Sequence, residues 1–332
     1  MNKKKIFITG GAGYVGSLIV PVLLRENYKI TVFDKFFFGK NFLPKDINLK
    51  VVEGDIRNKS LLEKECKNHD IFLHLACISN DASYVLDEKL SKTINFDCFE
   101  SMVITAKNNG IKRFIFASSS SVYGVSDKKD VTEDHPLVPL TLYNKFKGMC
   151  EPLLFKHTDD NFEGVIFRPA TVCGYAPRLR LDLSVNILTH HAYFNKKIRV
   201  FGGKQLRPNL NIKDYCEVVK CLIEADKQKV KNQIFNVGYE NYSIQELANM
   251  VKEVVTDRLK VNIDIENEKS NDNRSYHINS DKIFKILNFK PKHSIKDAIN
   301  SLLDAFDKKK SDFSFDNDIY FNVKRMQNLK IK

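Results

Sequence analysis

No stretch of about 18 consecutive apolar residues occurs in the 332-residue sequence, so no membrane span is read from it. The opening residues, MNKKKIFITGG, are basic but have neither a long apolar core nor a small-residue cleavage site. They run straight into a strand-like segment, and no signal peptide is read there. Cys-x-x-Cys pairs and Cys/His clusters are missing as well. The seven cysteines stand scattered at 66, 77, 98, 150, 173, 216 and 221. An odd, dispersed set points to reduced thiols in a cytoplasm, not to a disulfide framework or a metal site. The adjacent His190 and His191 would point apart on a helix, which argues against joint metal ligation. Nucleic-acid signatures are absent too: there is no RNP, zinc-finger or helix-turn-helix pattern. The formal charge of +12 therefore stands without a nucleic-acid reading. Its lysines are interleaved with Asp and Glu, the densest run falling at 307–310. A phosphate-bearing small molecule would also welcome such charge.

What the sequence does contain is a globular composition, 43% apolar and 28% charged, long enough for one large domain or two ordinary ones. Strands are expected at 5–9, 29–34, 49–55, 70–76 and 112–118. Helices are expected between them at 14–27, 58–69 and 89–110, the last ending at Gly110. This βαβ alternation predicts an α/β fold, a doubly wound parallel sheet with helices on both faces. After about residue 170 the regularity fades into short strands and two amphipathic helices, 244–255 and 295–309. A smaller, mixed α/β C-terminal lobe is expected there.

FITGGAGYVG follows the first strand and opens the first helix. Gly10, Gly13 and Gly16 let backbone amides approach a pyrophosphate, and the helix N-terminus favours its charge. Asp34 closes the second strand, where a carboxylate can accept the adenosine ribose hydroxyls. It would repel a 2′-phosphate, which favours NAD over NADP; the alternative is a turn residue. Asp55, in EGDIRN, could meet adenine or cap a helix.

LYNKFKG places Tyr143 and Lys147 one helical turn apart on one face. A free phenol titrates near pH 10, too high for a base at neutral pH. A neighbouring ammonium and a positive nicotinamide ring both favour phenolate. The alternative is an ordinary amphipathic helix with a buried ring and a solvated charge.

Taken in order, TGGAGYVG, GDIRN, HLA, ASSSSVYG, YNKFK and FRPATVCG resemble the extended short-chain dehydrogenase/reductase family, the NAD-dependent epimerases and dehydratases of nucleotide sugars. The resemblance covers nearly the whole chain, most densely residues 5–215. It implies a Rossmann-type NAD-binding domain over 1–169, with 211–238 returning to it. Residues 170–210 and 239–332 would form the substrate-binding lobe. It further implies that Ser119, Tyr143 and Lys147 are the catalytic triad. NAD would be held by Gly10, Gly13, Tyr14, Val15, Gly16, Asp34, Asp55, Ile56, Leu75, Ala76, Ser118, Tyr143 and Lys147. The substrate, a nucleotide-diphosphate sugar, would meet Ser79, Ser120, Arg180, Asn186, Arg207 and Arg274. Asn80 and Asp81 also follow HLACI and could face sugar or nicotinamide, with a polar turn as the alternative. Family members are usually homodimers, paired through helices such as 89–109 and 142–156.

The family's dehydratases carry an Asp-Glu pair after the catalytic Thr. Ser120 and Ser121 stand there in this chain, and neither supplies a carboxylate. The resemblance therefore implies transient oxidation at C4 and epimerisation. ATVCGYAPRLRLDLSVN (170–186) resembles a sub-group that includes GDP-heptose C4 oxidoreductases, which keeps net C4 dehydrogenation open. A silent NAD or nucleotide sensor is a further alternative, opposed by the intact triad. The phenylalanines at 36–38 are read as satellite core packing; one covering adenine or meeting a partner subunit is the alternative.

Overall fold

The computed structural model describes residues 3–79, 81–126, 128, 130–269, 275, 277–308 and 313–329. Its strands are β1 (Lys5–Thr9), β2 (Lys29–Asp34), β3 (Leu49–Glu53), β4 (Ile71–His74), β5 (Arg113–Ala117), β6 (Glu163–Pro169), β7 (Thr171–Cys173), β8 (Lys197–Phe201), β9 (Leu206–Asn211), β10 (Gln233–Val237), β11 (Glu240–Ser243) and β12 (Asp264–Glu268). Seven of them form one sheet in the order β10-β6-β5-β4-β1-β2-β3, every pairing parallel. The fold is thus a Rossmann-like α/β sheet with flanking helices.

The sheet is covered on both faces, as parallel strands require. Successive residues of a strand point to opposite faces, and the two faces differ in chemistry. Ile6, Ile8, Val32, Leu73 and Ile115 join an aliphatic core on one side. Phe7, Phe33, Phe72, Phe114 and Phe116 build an aromatic core on the other. Phe72 and Phe114 stack there, with ring centroids 4.7 Å apart.

The remaining strands form two small sheets, β11-β9-β7 and β12-β8. Helices Ser184–Asn195, Ile244–Leu259 and Ile295–Lys308 enclose a separate core that includes Val185, Leu188, Val251, Ile299 and Phe306. No helix among the described residues is long and apolar enough to cross a membrane.

Three elements depart from the sequence expectation. β6 went unassigned, although all seven of its residues are buried. Helix 89–110 is not continuous: Glu88–Lys92 passes into a π-turn, Thr93–Asp97, before Phe99–Asn108 resumes. Asn95 lies in that turn. Its side chain accepts from the Ile78 amide (2.8 Å) and donates to the Ile78 carbonyl (2.9 Å). The helix thus gives up its regular repeat where it pins the loop after β4. The third is a C-terminal segment ending in helix Asn322–Leu329.

Candidate active site

The strand order reverses between β1 and β4, so the loops leaving their C-terminal ends diverge and open a crevice. A cavity of about 630 Å³ occupies it, within the usual size range of small-molecule and cofactor sites. Loops after β1, β4, β5 and β6 and the ends of β2 and β3 supply its walls on the large-sheet side.

Gly10, Gly13, Tyr14 and Val15 line the cavity at the start of the first helix. Gly10 has φ +76°, and a Cβ there would lie 2.5 Å from the Ala76 nitrogen. At Gly13 an added Cβ would press on the Gly10 oxygen, at 3.3 Å, and meet no other atom within 4 Å, so the turn is tight on one side and clear on the other. This is the cradle a pyrophosphate needs. Gly16 lies outside the cavity lining. A Cβ there would strike the Gly11 backbone at 2.4 Å, so its role is close packing of the helix start.

Asp34 lines the same end. Its Oδ2 accepts from the Ala12 amide (2.9 Å) and its Oδ1 from the Phe36 amide (2.8 Å). Burial raises the carboxyl above its ordinary range, while those amides oppose the rise. Asp55, Ile56, Leu75 and Ala76 also line the cavity. Asp55 binds Arg57 through both oxygens (2.7 and 3.0 Å), and those hydrogen bonds hold it below the usual carboxylate range. The helix that follows is capped by Asn58 instead, which accepts from the Leu61 amide. The groups present fit a dinucleotide: an open glycine turn, a helix start and a carboxylate at the end of β2.

Ser119, Tyr143 and Lys147 reach the cavity together. Ser119 Oγ lies 2.7 Å from Ser121 Oγ, which donates to Asn144 Oδ1 at 2.5 Å. Lys147 is buried. Its ammonium donates to the Ala117 carbonyl (2.7 Å) and sits 4.8 Å above the Phe116 ring. Burial pushes the Tyr143 phenol well above its ordinary range; Cys77 and Asp81 push the same way, and Arg180 opposes them. The chain's own walls therefore keep the phenol protonated, and added positive charge is what would lower it.

Beneath the triad runs a buried polar network. Ser118 lines the cavity, but its hydroxyl donates inward to Glu151 (2.6 Å). Arg168 grips Glu151 through two nitrogens (3.0 and 2.6 Å) and donates to Tyr123 Oη (2.7 Å), which donates to Asn236 (2.7 Å). Glu151 follows Lys147 by one helical turn on the same face. The network thus fixes helix Leu142–Lys156, which carries Tyr143 and Lys147, against β5, β6 and β10.

On the smaller lobe, Arg180 and Arg207 line the cavity, as do Ser79 and Ser120. Arg180 is held by Asp182 through two nitrogens (2.9 and 3.2 Å) and donates to Ser79 (3.1 Å). Asn186 requires a correction. It is fully buried and outside the lining. Its amide is spent on the Gly174 nitrogen (2.9 Å), the Arg180 carbonyl (2.8 Å) and Tyr14 Oη (3.1 Å). Asn186 is a strut of the wall because every polar atom of its amide already has an internal partner. Arg274 and Asn80 lie outside the described residues.

The aromatic run is divided. Phe36 packs against the aliphatic core, while Phe37 and Phe38 line the cavity. Sequence reasoning missed Asn95 and Glu151, whose positions carry no short motif of their own, and gave no role to Arg168, although it lies within FRPATVCG. It also missed Asn322 and Met326, which line the cavity from the C-terminal helix.

A crevice of this form, with an open glycine turn beside a Ser-Tyr-Lys cluster, defines a dinucleotide-dependent enzyme of the Rossmann class. The sequence pattern of the NAD dependent epimerase/dehydratase family matches residues 6–238, and the chain belongs to that family; it is an enzyme that uses NAD. UDP-glucose 4-epimerase of Lactobacillus helveticus is 26% identical over 324 residues, 89% of this chain and 94% of that one. dTDP-D-glucose 4,6-dehydratase of Homo sapiens is 27% identical over 323 residues, 91% of this chain and 90% of that one. Among solved structures, the UDP-glucose 4-epimerase of Thermotoga maritima with UDP-glucose superposes with a TM-score of 0.82. It is 22% identical and covers 92% of this chain and 100% of that one, a likeness of fold.

Proposed function

We propose that the protein is a nucleotide-sugar epimerase acting by transient oxidation at C4 of a nucleotide-diphosphate-linked hexose or heptose. The observation that carries this reading is the make-up of the wall beside Tyr143. Ser119, Ser121 and Asn144 form a chain of hydroxyls and an amide there. The two positions after Ser119, where the family's dehydratases hold acid and base for elimination, are Ser120 and Ser121. Water loss across C5 and C6 would need such groups.

Bound NAD supplies the chemistry of accepting and returning a hydride. Tyr143 Oη takes the proton of the C4 hydroxyl and later gives it back. Ser119 Oγ holds that hydroxyl. Lys147 stands one helical turn from Tyr143 with its ammonium on the Ala117 carbonyl. Arg180 is the cation that lowers the phenol, and the positive nicotinamide ring would add to it. Arg207 and Arg180 offer cations to the substrate's diphosphate.

Net oxidation at C4 is the second reading. It is favoured by the 170–186 stretch, which resembles a sub-group holding both epimerase-like proteins and GDP-heptose C4 oxidoreductases and contributes Arg178, Arg180 and Asp182 to the cavity wall. Incubation with NAD and a panel of UDP-, GDP-, CDP- and dTDP-linked sugars, followed by proton NMR, separates the two. A new sugar of equal mass without net NADH is the expected result. A keto sugar with stoichiometric NADH would replace the epimerase by a dehydrogenase. Tyr143→Phe should reduce either turnover by at least about a hundredfold.

A further inference from the structure

The glycine loop, residues 10–16, carries no cation of its own. It offers a pyrophosphate only amides and a helix end. At this end of the cavity two cationic side chains among the described residues line the wall, Lys35 and Arg178. Lys35 is exposed. Arg178 belongs to the smaller lobe and is only 1% exposed.

Arg178 is held with unusual completeness on three sides. Its backbone amide donates to Ser17 Oγ (3.1 Å), at the start of the first helix. Its guanidinium carbon lies 3.6 Å from the centroid of the Phe38 ring. One terminal nitrogen donates to Asn322 Oδ1 (2.6 Å). Asn322 is itself fixed, donating its amide nitrogen to Ser79 Oγ (2.8 Å) and its backbone N–H to Asp182 (3.2 Å).

Against this, Arg178 has no counter-ion in direct contact among the described residues; Asp182 and Asp34 act on it only from beyond pairing distance. Its Nε is buried and makes no hydrogen bond among the described residues. No carboxylate stands within 4.0 Å of it among them, whereas Arg180 is paired directly with Asp182. Burial lowers its pKa to about 9, Arg180 acts in the same direction, and Asp182 and Asp34 oppose. A buried cation facing a neutral amide and an aromatic ring is costly unless an anion completes it. Guanidinium is also the group best suited to stack on a ring and present parallel donors to phosphate oxygens.

We propose that Arg178 binds the pyrophosphate of NAD, with Phe38 as its shelf and Asn322 as the hand that aims it. The smaller lobe and the C-terminal helix thereby supply the cation that the glycine loop lacks. The neighbours Ser17, Phe38 and Asp34 place it at the cofactor end of the cavity. One helix-start serine, one aromatic of the loop after β2 and one C-terminal asparagine thus acquire a common purpose.

The test is binding of NAD, ADP and adenosine to the full chain, stripped of nucleotide, by isothermal titration calorimetry. Arg178→Gln is expected to weaken NAD and ADP at least tenfold and to leave adenosine within twofold. Arg178→Lys should recover part of the loss. Unchanged NAD affinity in Arg178→Gln overturns the proposal. So does an equal loss for ADP and adenosine, which would mean that the side chain merely supports the wall. A loss confined to nucleotide-diphosphate sugars, with NAD unaffected, also overturns it and moves Arg178 to the substrate's diphosphate. If Arg178→Gln does not fold, Asn322→Ala decides in the same comparison. ADP weakened more than adenosine sustains the assignment; equal weakening, or none, ends it.

Discussion

At the residue scale, the site rests on positions where one atom more would not fit. Gly10 is the sharpest case. Its φ of +76° strains any other residue, and an added Cβ would lie 2.5 Å from the Ala76 nitrogen. The β1 and β4 loops must approach that closely for the crevice to have its shape. Gly10→Ala should therefore separate them, costing about 1–3 kcal/mol in strain and lowering NAD affinity by tenfold or more. Calorimetric titration with NAD checks this; an affinity within twofold of wild type would mean that the loop accommodates the methyl. The glycines were legible in the sequence because their spacing between a strand and a helix has few other meanings. Asn186 was misread because motif position says nothing about which way an amide faces. Its partner Gly174 lies twelve residues away and Tyr14 172 away, and only the fold brings them together.

At the scale of elements, alternation of strands and helices made the parallel sheet legible, since each βαβ unit must bury one strand and cover it with a helix. What escaped were features set by tertiary partners. The π-turn at Thr93–Asp97 answers to Ile78, seventeen residues away from Asn95, not to the local helix pattern. β6 hides its role because EGVIFRP mixes charges with apolar residues, and both charges are paired inside: Glu163 with Arg113 and Arg168 with Glu151. The second pair carries a clear expectation. Arg168→Met strands the Glu151 carboxylate in a site where both side chains are under 5% exposed, at a cost of about 3–5 kcal/mol. Arg168→Met combined with Glu151→Met removes both charges and should recover a large part of that loss. Urea unfolding of the two variants decides; a double variant no more stable than the single would show that packing, not stranded charge, dominates.

At the scale of the whole molecule, the C-terminal segment ties the two lobes across the cavity. Arg325 donates to the Phe37 carbonyl (2.7 Å) in the loop after β2. The Leu181 amide donates to the Tyr320 carbonyl (2.9 Å). His190 Nε2 lies 2.7 Å from the Phe313 carbonyl, which fixes the N–H on Nε2 because a carbonyl only accepts. Its Nδ1 is buried without a partner among the described residues, and Phe194, Phe306 and Phe315 surround the ring. Burial therefore drops the pKa of His190 to about 4, the Phe313 carbonyl opposing and His191 reinforcing the shift. The sign follows directly. Above about pH 6.5 neither state is protonated, and His190 contributes no pH dependence to stability. As pH falls from there towards 4, the unfolded chain takes up a proton that the folded chain refuses. Stability is then lost at up to about 1.4 kcal/mol per pH unit, and the loss levels off once the folded ring is protonated too. Other histidines contribute in both proteins, so the difference between wild type and His190→Gln isolates this one. Urea unfolding at several pH values should show that difference shifting against the wild type on acidification across this window. Parallel profiles would remove His190 as the acid-sensitive anchor of the segment that closes the site.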